Sequence, residues 1–266
     1  MTETNARLVY VGYDSREQAA YDVCEFTLKK QNSSNISIQK LDHRELRQRN
    51  KFWRKWRIDE DGQYWDEEDG KPFSTEFAHT RFLVPHLAMN DHGEDGWVLF
   101  CDSDFMFRKP LSWLFNQVDD KYAAMCVKFN FEPKNKKKMD GMIQSSYPRK
   151  LWSSFVLWNV GHPSNKQILD PIKTNTATGL DLHNFSWLKD EEIGGIDEGW
   201  NYIPGISPNT ETYLHSFNLN AIHFSEGGPW FKEYKEVQFA QEWKKQYINA
   251  LHSKYLREAY PDDFKK

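Results

Sequence analysis

The chain has 266 residues, 39% of them hydrophobic and 28% charged, which is enough apolar material for one sizeable core and too much for a disordered polymer. Its formal net charge of −4 argues against a generally basic nucleic-acid binder, although local patches can still take phosphates. Cys24, Cys101 and Cys126 are far apart and show no CxxC spacing, which argues against a structural zinc and points to a reducing compartment. With no apolar leader at residue 1 and no apolar run approaching ~18 residues, a cytoplasmic protein without a membrane span is expected.

In chain order, Arg7 to Tyr13 reads as a first strand, and Asp14-Ser15-Arg16-Glu17 carries a helix-start signature for a helix over about 16–30. Ile36 to Leu41 alternates as a short strand, giving the opening a β-α-β rhythm. Residues 47–57 then mix six cations with three aromatics, and 59–69 carry seven acids. Interleaved cations and aromatics suit a phosphodiester or a sugar, but mutual neutralisation on a solvated excursion is the favoured reading. Ser74-Thr75-Glu76 caps a helix through about Ala88, and a strand over 97–101 follows. Further strands are expected at Tyr122–Lys128, Ser154–Asn159, Ile193–Ile196 and Ala221–Phe224, a solvated lysine-rich loop at 134–138, and a closing helix over 239–258. Without a repeat or a long linker, a single α/β domain is expected, its first part over about 1–105 and its second over about 106–235.

The most informative step is Asp102-Ser103-Asp104, where the apolar run Trp97 to Cys101 ends in two aspartates before Phe105-Met106-Phe107. In an extended segment both carboxylates project to one side, with Cα atoms roughly 6 to 7 Å apart. Buried unpaired carboxylates are costly, and a hard divalent cation carrying a diphosphate offsets that cost. A turn is the competing reading, since Asp and Ser favour turns. A second candidate is Ile222-His223-Phe224-Ser225-Glu226-Gly227-Gly228-Pro229-Trp230. His223 leaving a short strand could add a nitrogen ligand, a mixed sphere acceptable to Mn2+, while the paired glycines let backbone amides approach an anion.

The strand-terminal Asp-Ser-Asp, the upstream segment Ser74 to Phe82 and the late His-Phe-x-x-Gly-x-Pro-Trp together resemble nucleotide-sugar glycosyltransferases of the GT-A fold, in the glycogenin-like and lipopolysaccharide galactosyltransferase-like group (family eight), including bacterial and phage relatives. The resemblance runs over about residues 7–232 and implies a Rossmann-like mixed sheet flanked by helices. It implies that Asp102, Asp104 and His223 hold Mn2+ or Mg2+, with Asp102 and Ser103 facing the donor. Val11, Gly12, Tyr13 and Asp14 fall where the group receives the nucleotide base, and Arg81 lies on the helix that faces the donor. Trp152 to Asn159 resembles the strand lining the sugar pocket, with Ser153 in place of an Asn, Ser154 retained and Phe155 in place of a Gly. The group's Asp-Gln step beside the anomeric carbon best matches Asp190-Glu191, with Asp197-Glu198 as the competing pair. Gly228 and Trp230 match a Lys-Pro-Trp turn that here lacks its lysine, so the glycine amides or Lys232 take over at the leaving diphosphate.

The expected reaction moves a sugar, with retention, from a nucleoside-diphosphate donor, UDP foremost, to a hydroxyl. A glycan, a small molecule or a hydroxylated base in DNA are all open as acceptor. A haloacid-dehalogenase-like phosphatase also opens with Asp-x-Asp, but wants Thr or Val where this chain has Met106. A nucleotidyltransferase would want more glycine than Gly12 after the first strand. A carbohydrate-binding module would use the aromatic residues, 15% of the chain, but such modules are mostly all-β.

Overall fold

A computed structural model describes residues 6–32, 35–130, 148–208 and 219–259. Strand β1 (Arg7–Gly12) is buried from Leu8 onward. Asp14 caps the turn that leads into helix α1 (Gln18–Asn32), and α1 buries Tyr21, Cys24 and Leu28, spaced three and four apart on one face. The chain returns as β2 (Ile36–Leu41), parallel to β1, and Asp42 caps the short helix α2 (His43–Gln48).

Three short strands that the sequence pattern does not announce come next: β3 (Trp56–Ile58), β4 (Tyr64–Asp66) and β5 (Pro72–Phe73), forming a small antiparallel sheet. The cationic and acidic segments meet inside the protein at Arg54, while Arg49, Lys55, Arg57, Glu60, Asp61, Glu67 and Glu68 remain exposed as expected of a solvated excursion. Arg54 is fully buried, its Nε donating to Asp66 Oδ1 at 2.8 Å, its Nη2 to Asp66 Oδ2 and its Nη1 to the Ala177 carbonyl at 2.5 Å. Arg47 lies over the Phe52 and Trp56 rings, and Trp56 packs on Phe73.

The helix expected from Ser74 begins later. Residues 80–83 form a 3-10 turn, and α3 (Val84–His92) starts with Pro85 in its first turn and ends at Gly93, which takes the left-handed φ of 65°. Strand β6 (Trp97–Cys101) follows, then β7 (Phe105–Phe107), α4 (Leu111–Phe115), β8 (Ala124–Cys126) and β9 (Phe155–Asn159). Helices α5 (Pro171–Thr176) and α6 (Gly179–His183), strands β10 (Ile193–Gly195) and β11 (Ala221–His223), and a last described helix, Ala240–Ala259, complete the order. The lysines at 134–138 lie outside the described residues.

The main sheet has the order β10-β8-β9-β6-β1-β2, parallel except for β9, which runs against both of its neighbours. Alternate residues of β6 feed different cores: Val98 and Phe100 join Tyr10, Val156 and Trp158 on one face, while Leu99 and Cys101 join Val9, Val11, Phe155 and Leu157 on the other. Apolar packing on both faces explains why these strands read as unbroken hydrophobic runs. Beside this sheet, β7 and β11 form a separate antiparallel ribbon in which His223 is the partner of Phe105. Among the described residues no helix is long and apolar enough to cross a membrane.

Breaking a buried ion pair leaves one charge without compensation. Arg54→Ala is therefore expected to lower stability by about 3–5 kcal/mol in urea denaturation, and Arg54→Met with Asp66→Leu to recover most of the loss. A single-variant cost below about 1 kcal/mol would contradict the burial of this pair.

Candidate active site

The carboxyl end of β6 places the two aspartates. Asp102, Ser103 and Asp104 occupy the connection between β6 and β7, so the local conformation is a turn rather than the continuous extended segment expected. It is not a solvated turn: Ser103 is 1% and Asp104 6% exposed. The Asp102 amide donates to the Ser154 carbonyl at 2.9 Å, and Arg81 Nη1 stands 2.9 Å from Asp102 Oδ1 while donating to the Ser153 carbonyl at 2.9 Å. Arg81 also packs over the Phe77 and Phe100 rings, so its charge is held in place by two aromatic faces.

Asp104 meets His223 across the ribbon, with Nε2 3.2 Å from Asp104 Oδ1. The His223 ring stacks on Phe105 at 4.3 Å, and its Nδ1 lies 2.7 Å from Asn201 Oδ1. One ligand atom from each of Asp102, Asp104 and His223 falls within a 4.8 Å cluster. Two ligand atoms at right angles on one octahedral ion, each about 2.1 Å from it, are about 3 Å apart. The Asp104–His223 separation is of that size, and two carboxylates with one imidazole make a donor set fit for Mn2+ or Mg2+.

A cavity of about 560 Å³ opens beside the cluster. Asp102, Arg81, Ser153 and Ser154 line one part of it, and Phe73, Asp69, His79, Lys150 and His183 line the rest. Ser153 Oγ lies 2.7 Å from His183 Nδ1. Burial, reinforced by the charges of Arg54 and Arg81, pushes the His79 pKa down to about 3, so at neutral pH this ring is a neutral hydrogen-bonding group. Local sequence gave no sign of Lys150 or His183, which arrive from loop and helix ends far from β6. His79 lies two residues before Arg81 inside the segment already singled out, and its proximity to that arginine was the available signal.

The remaining candidates sit elsewhere. Val11 is packed in the core, and Gly12 is needed because a Cβ there would stand 2.6 Å from the Phe77 ring. The Tyr13 hydroxyl donates to Gln18 at 2.6 Å, and Asp14 is fully buried, accepting from Arg16 and from the Glu76 amide. None of these four lines the cavity. Trp230 folds over Gly228 and packs on Phe224 and on Trp243 of the last helix, while Lys232 is exposed, and none of the three lines the cavity. Asp190 and Glu191 begin a surface 3-10 turn, with the Asp190 side chain 85% exposed beside Arg149, so the cavity wall does not include them. Asp197 caps Gly199, and both it and Glu198 are exposed.

Asp14 and Glu76 instead form a clasp. The Glu76 amide donates to Asp14, and the Glu76 carboxylate accepts from the Ser15 amide and hydroxyl, each at 3.0 Å, and from both Arg44 terminal nitrogens. This closes the loop after β1 onto the segment leading to Arg81.

No protein-family model matches the chain. Among solved structures, the bifunctional glycosyltransferase WbbM superposes with a TM-score of 0.61 at 14% identity over 94% of this chain. This chain spans only 50% of that protein and 64% of GlyE from Streptococcus pneumoniae TIGR4, which matches at 0.54 and 14% identity over 96% of this chain. The galactosyltransferase LgtC, solved with donor and acceptor sugar analogs, matches at 0.54 and 12% identity over 91% of this chain and 95% of its own. The chain thus has the GT-A-like glycosyltransferase fold. In sequence it is 42% identical over 235 residues to Protein CDI of Arabidopsis thaliana, covering 88% of this chain and 83% of the plant protein. It belongs to the same family as that protein.

The clasp has a pH signature. Burial alone would raise the Glu76 pKa, but the donors from His43, Ser15 and Arg44 outweigh it and bring it to about 2, against 4.5 unperturbed. A depressed carboxylate pKa stabilises the fold above the unfolded value and loses that contribution as pH falls toward the folded one. About 3 kcal/mol is therefore expected to disappear between pH about 4.5 and 2. Thermal melts of Glu76→Gln should show a smaller decline over that window than the wild type, and parallel curves would exclude the clasp as the cause.

Proposed function

We propose that this protein is a metal-dependent, retaining glycosyltransferase that moves a sugar from a nucleoside-diphosphate donor, UDP foremost, to a hydroxyl acceptor. The observation that carries the reading is the buried Asp102–Asp104–His223 cluster beside a cavity lined by Asp102 and Arg81. The solved glycosyltransferases share the fold, and the donor set is one that a hard divalent ion accepts. Asp102, Asp104 and His223 would hold Mn2+ or Mg2+, which when bound supplies Lewis-acid stabilisation to a departing diphosphate.

Arg81 fixes the Asp102 carboxylate and brings a cation to the cavity floor. Ser153, paired with His183, and the neutral His79 offer hydrogen bonds suited to sugar hydroxyls, and Lys150 brings a further cation to the same wall. Asp190 and Glu191 are not assigned a part, because Asp190 stands in solvent. Asp102 is the carboxylate of the cavity that adjoins the metal cluster, and it would face the anomeric carbon as positive charge develops there.

For the acceptor we favour a glycan or small hydroxylated molecule over DNA. Of the 47–57 segment that was a candidate for phosphates, Arg54 is buried in an ion pair, and Arg47 and Trp56 are half-buried against each other, with Trp56 also on Phe73. The recessed cavity suits a compact ligand.

Asp104→Ala is expected to reduce release of UDP from a UDP-sugar at least about a hundredfold, with the circular-dichroism spectrum and melting temperature retained. Undiminished turnover of the wild type in excess EDTA would overturn the metal-dependent reading, and duplex DNA binding that weakens with salt would restore the DNA acceptor.

A further inference from the structure

Asn201 closes the 3-10 turn Glu198–Asn201, is 1% exposed and does not line the cavity, yet both ends of its side-chain amide are engaged. Its Nδ2 donates to Ser154 Oγ at 3.0 Å, and its Oδ1 lies 2.7 Å from His223 Nδ1. Ser154 Oγ in turn donates to the Leu151 carbonyl at 2.7 Å. A backbone carbonyl only accepts, so the single hydroxyl proton of Ser154 is committed to Leu151. Toward Asn201 that hydroxyl can then only accept, which requires the NH2 end of the amide to face it. The amide oxygen is left facing His223, and because it cannot donate, Nδ1 must carry the proton. In the neutral ring the lone pair then lies on Nε2, which faces Asp104 Oδ1 at 3.2 Å. Two electron-rich atoms at that separation repel unless a proton or a metal cation joins them.

We propose that Asn201 is a positioning residue that fixes His223 in the Nδ1–H tautomer and so presents Nε2 to a divalent cation, with the polarity of the relay set by the Leu151 carbonyl. Leu151 adopts the left-handed region at φ 71° and opens the turn Trp152–Ser154. The same turn accepts the Arg81 guanidinium on the Ser153 carbonyl and the Asp102 amide on the Ser154 carbonyl. One short loop therefore bears on both a carboxylate and an imidazole of the cluster, the first through Arg81 and the second through Asn201. The part of this inference that concerns the cation rests on the metal reading above, whereas the tautomer does not.

Two measurements test it. In the metal-free protein at alkaline pH, two-bond 15N correlation spectra of the histidine rings should show His223 as the Nδ1–H tautomer, and Asn201→Leu should lose that preference. Manganese titration read by the EPR signal of free Mn2+ should show binding 10- to 100-fold weaker in Asn201→Leu. Asn201→Asp, which keeps an acceptor for Nδ1–H, should bind within about threefold of the wild type. Ser154→Ala, which no longer dictates which way the amide points, should fall between them. If Asn201→Leu does not fold, Asn201→Ala carries the same expectation. Wild-type His223 in the Nε2–H form overturns the inference, as does Mn2+ affinity in Asn201→Leu equal to that of the wild type. A wild type with the Nδ1–H tautomer but no Mn2+ binding upholds the relay and overturns the metal reading.

Discussion

Two carboxylates that follow the carboxyl end of a strand buried from Val98 onward are the constraint from which much of this structure follows. A carboxylate carried into the core must find charge and hydrogen bonds there or become protonated. Asp102 finds Arg81, and Asp104 finds His223. Arg81 in turn depends on the Asp14–Glu76 clasp that closes its segment against the loop after β1, and His223 depends on Asn201. The position of a few acidic oxygens thus reaches the first loop, the connection to α3, the turn before β9 and the β7–β11 ribbon.

Much of the framework was legible in the sequence because its strands are covered on both faces and so appear as continuous apolar runs. The boundaries of β2 and β6 coincide with the expected ones, and the last helix is displaced by one residue. The three-stranded sheet was not legible: its strands are two or three residues long, and its apolar surface comes from Trp56, Tyr64 and Phe73 scattered among charges. The helix expected from Ser74 was displaced because the Glu76 amide and carboxylate are both taken by the loop after β1 rather than serving a local cap.

The site divides along the same line. The convergence of Asp102, Asp104 and His223 was legible because an acidic pair or a lone histidine next to an apolar run conflicts with its surroundings, and such a conflict has few resolutions. The partners of Asp14 were not legible, since an aspartate at the end of a first strand has the same local pattern whether it meets a ligand or, as here, a neighbouring guanidinium and amide. Asp190 carries the acidic pattern of a reacting group, yet it lies on a surface turn, a difference that only tertiary structure records. At 12–14% identity the solved glycosyltransferases share architecture with this chain and no more.

The β7–β11 ribbon has a temporal meaning. Asp104 precedes one strand of the ribbon and His223 ends the other, so one member of the acidic-imidazole cluster arrives in the first half of the chain and another only after all six strands of the main sheet have been made. Chains emerging from the ribosome form early segments first, and pairings between distant segments close last. A nascent polypeptide that has emerged through β10 holds every strand of its principal sheet but no imidazole beside Asp104. The framework therefore precedes the cluster during synthesis, and a chain interrupted before Ala221 retains every strand of the main sheet while lacking the histidine that faces Asp104.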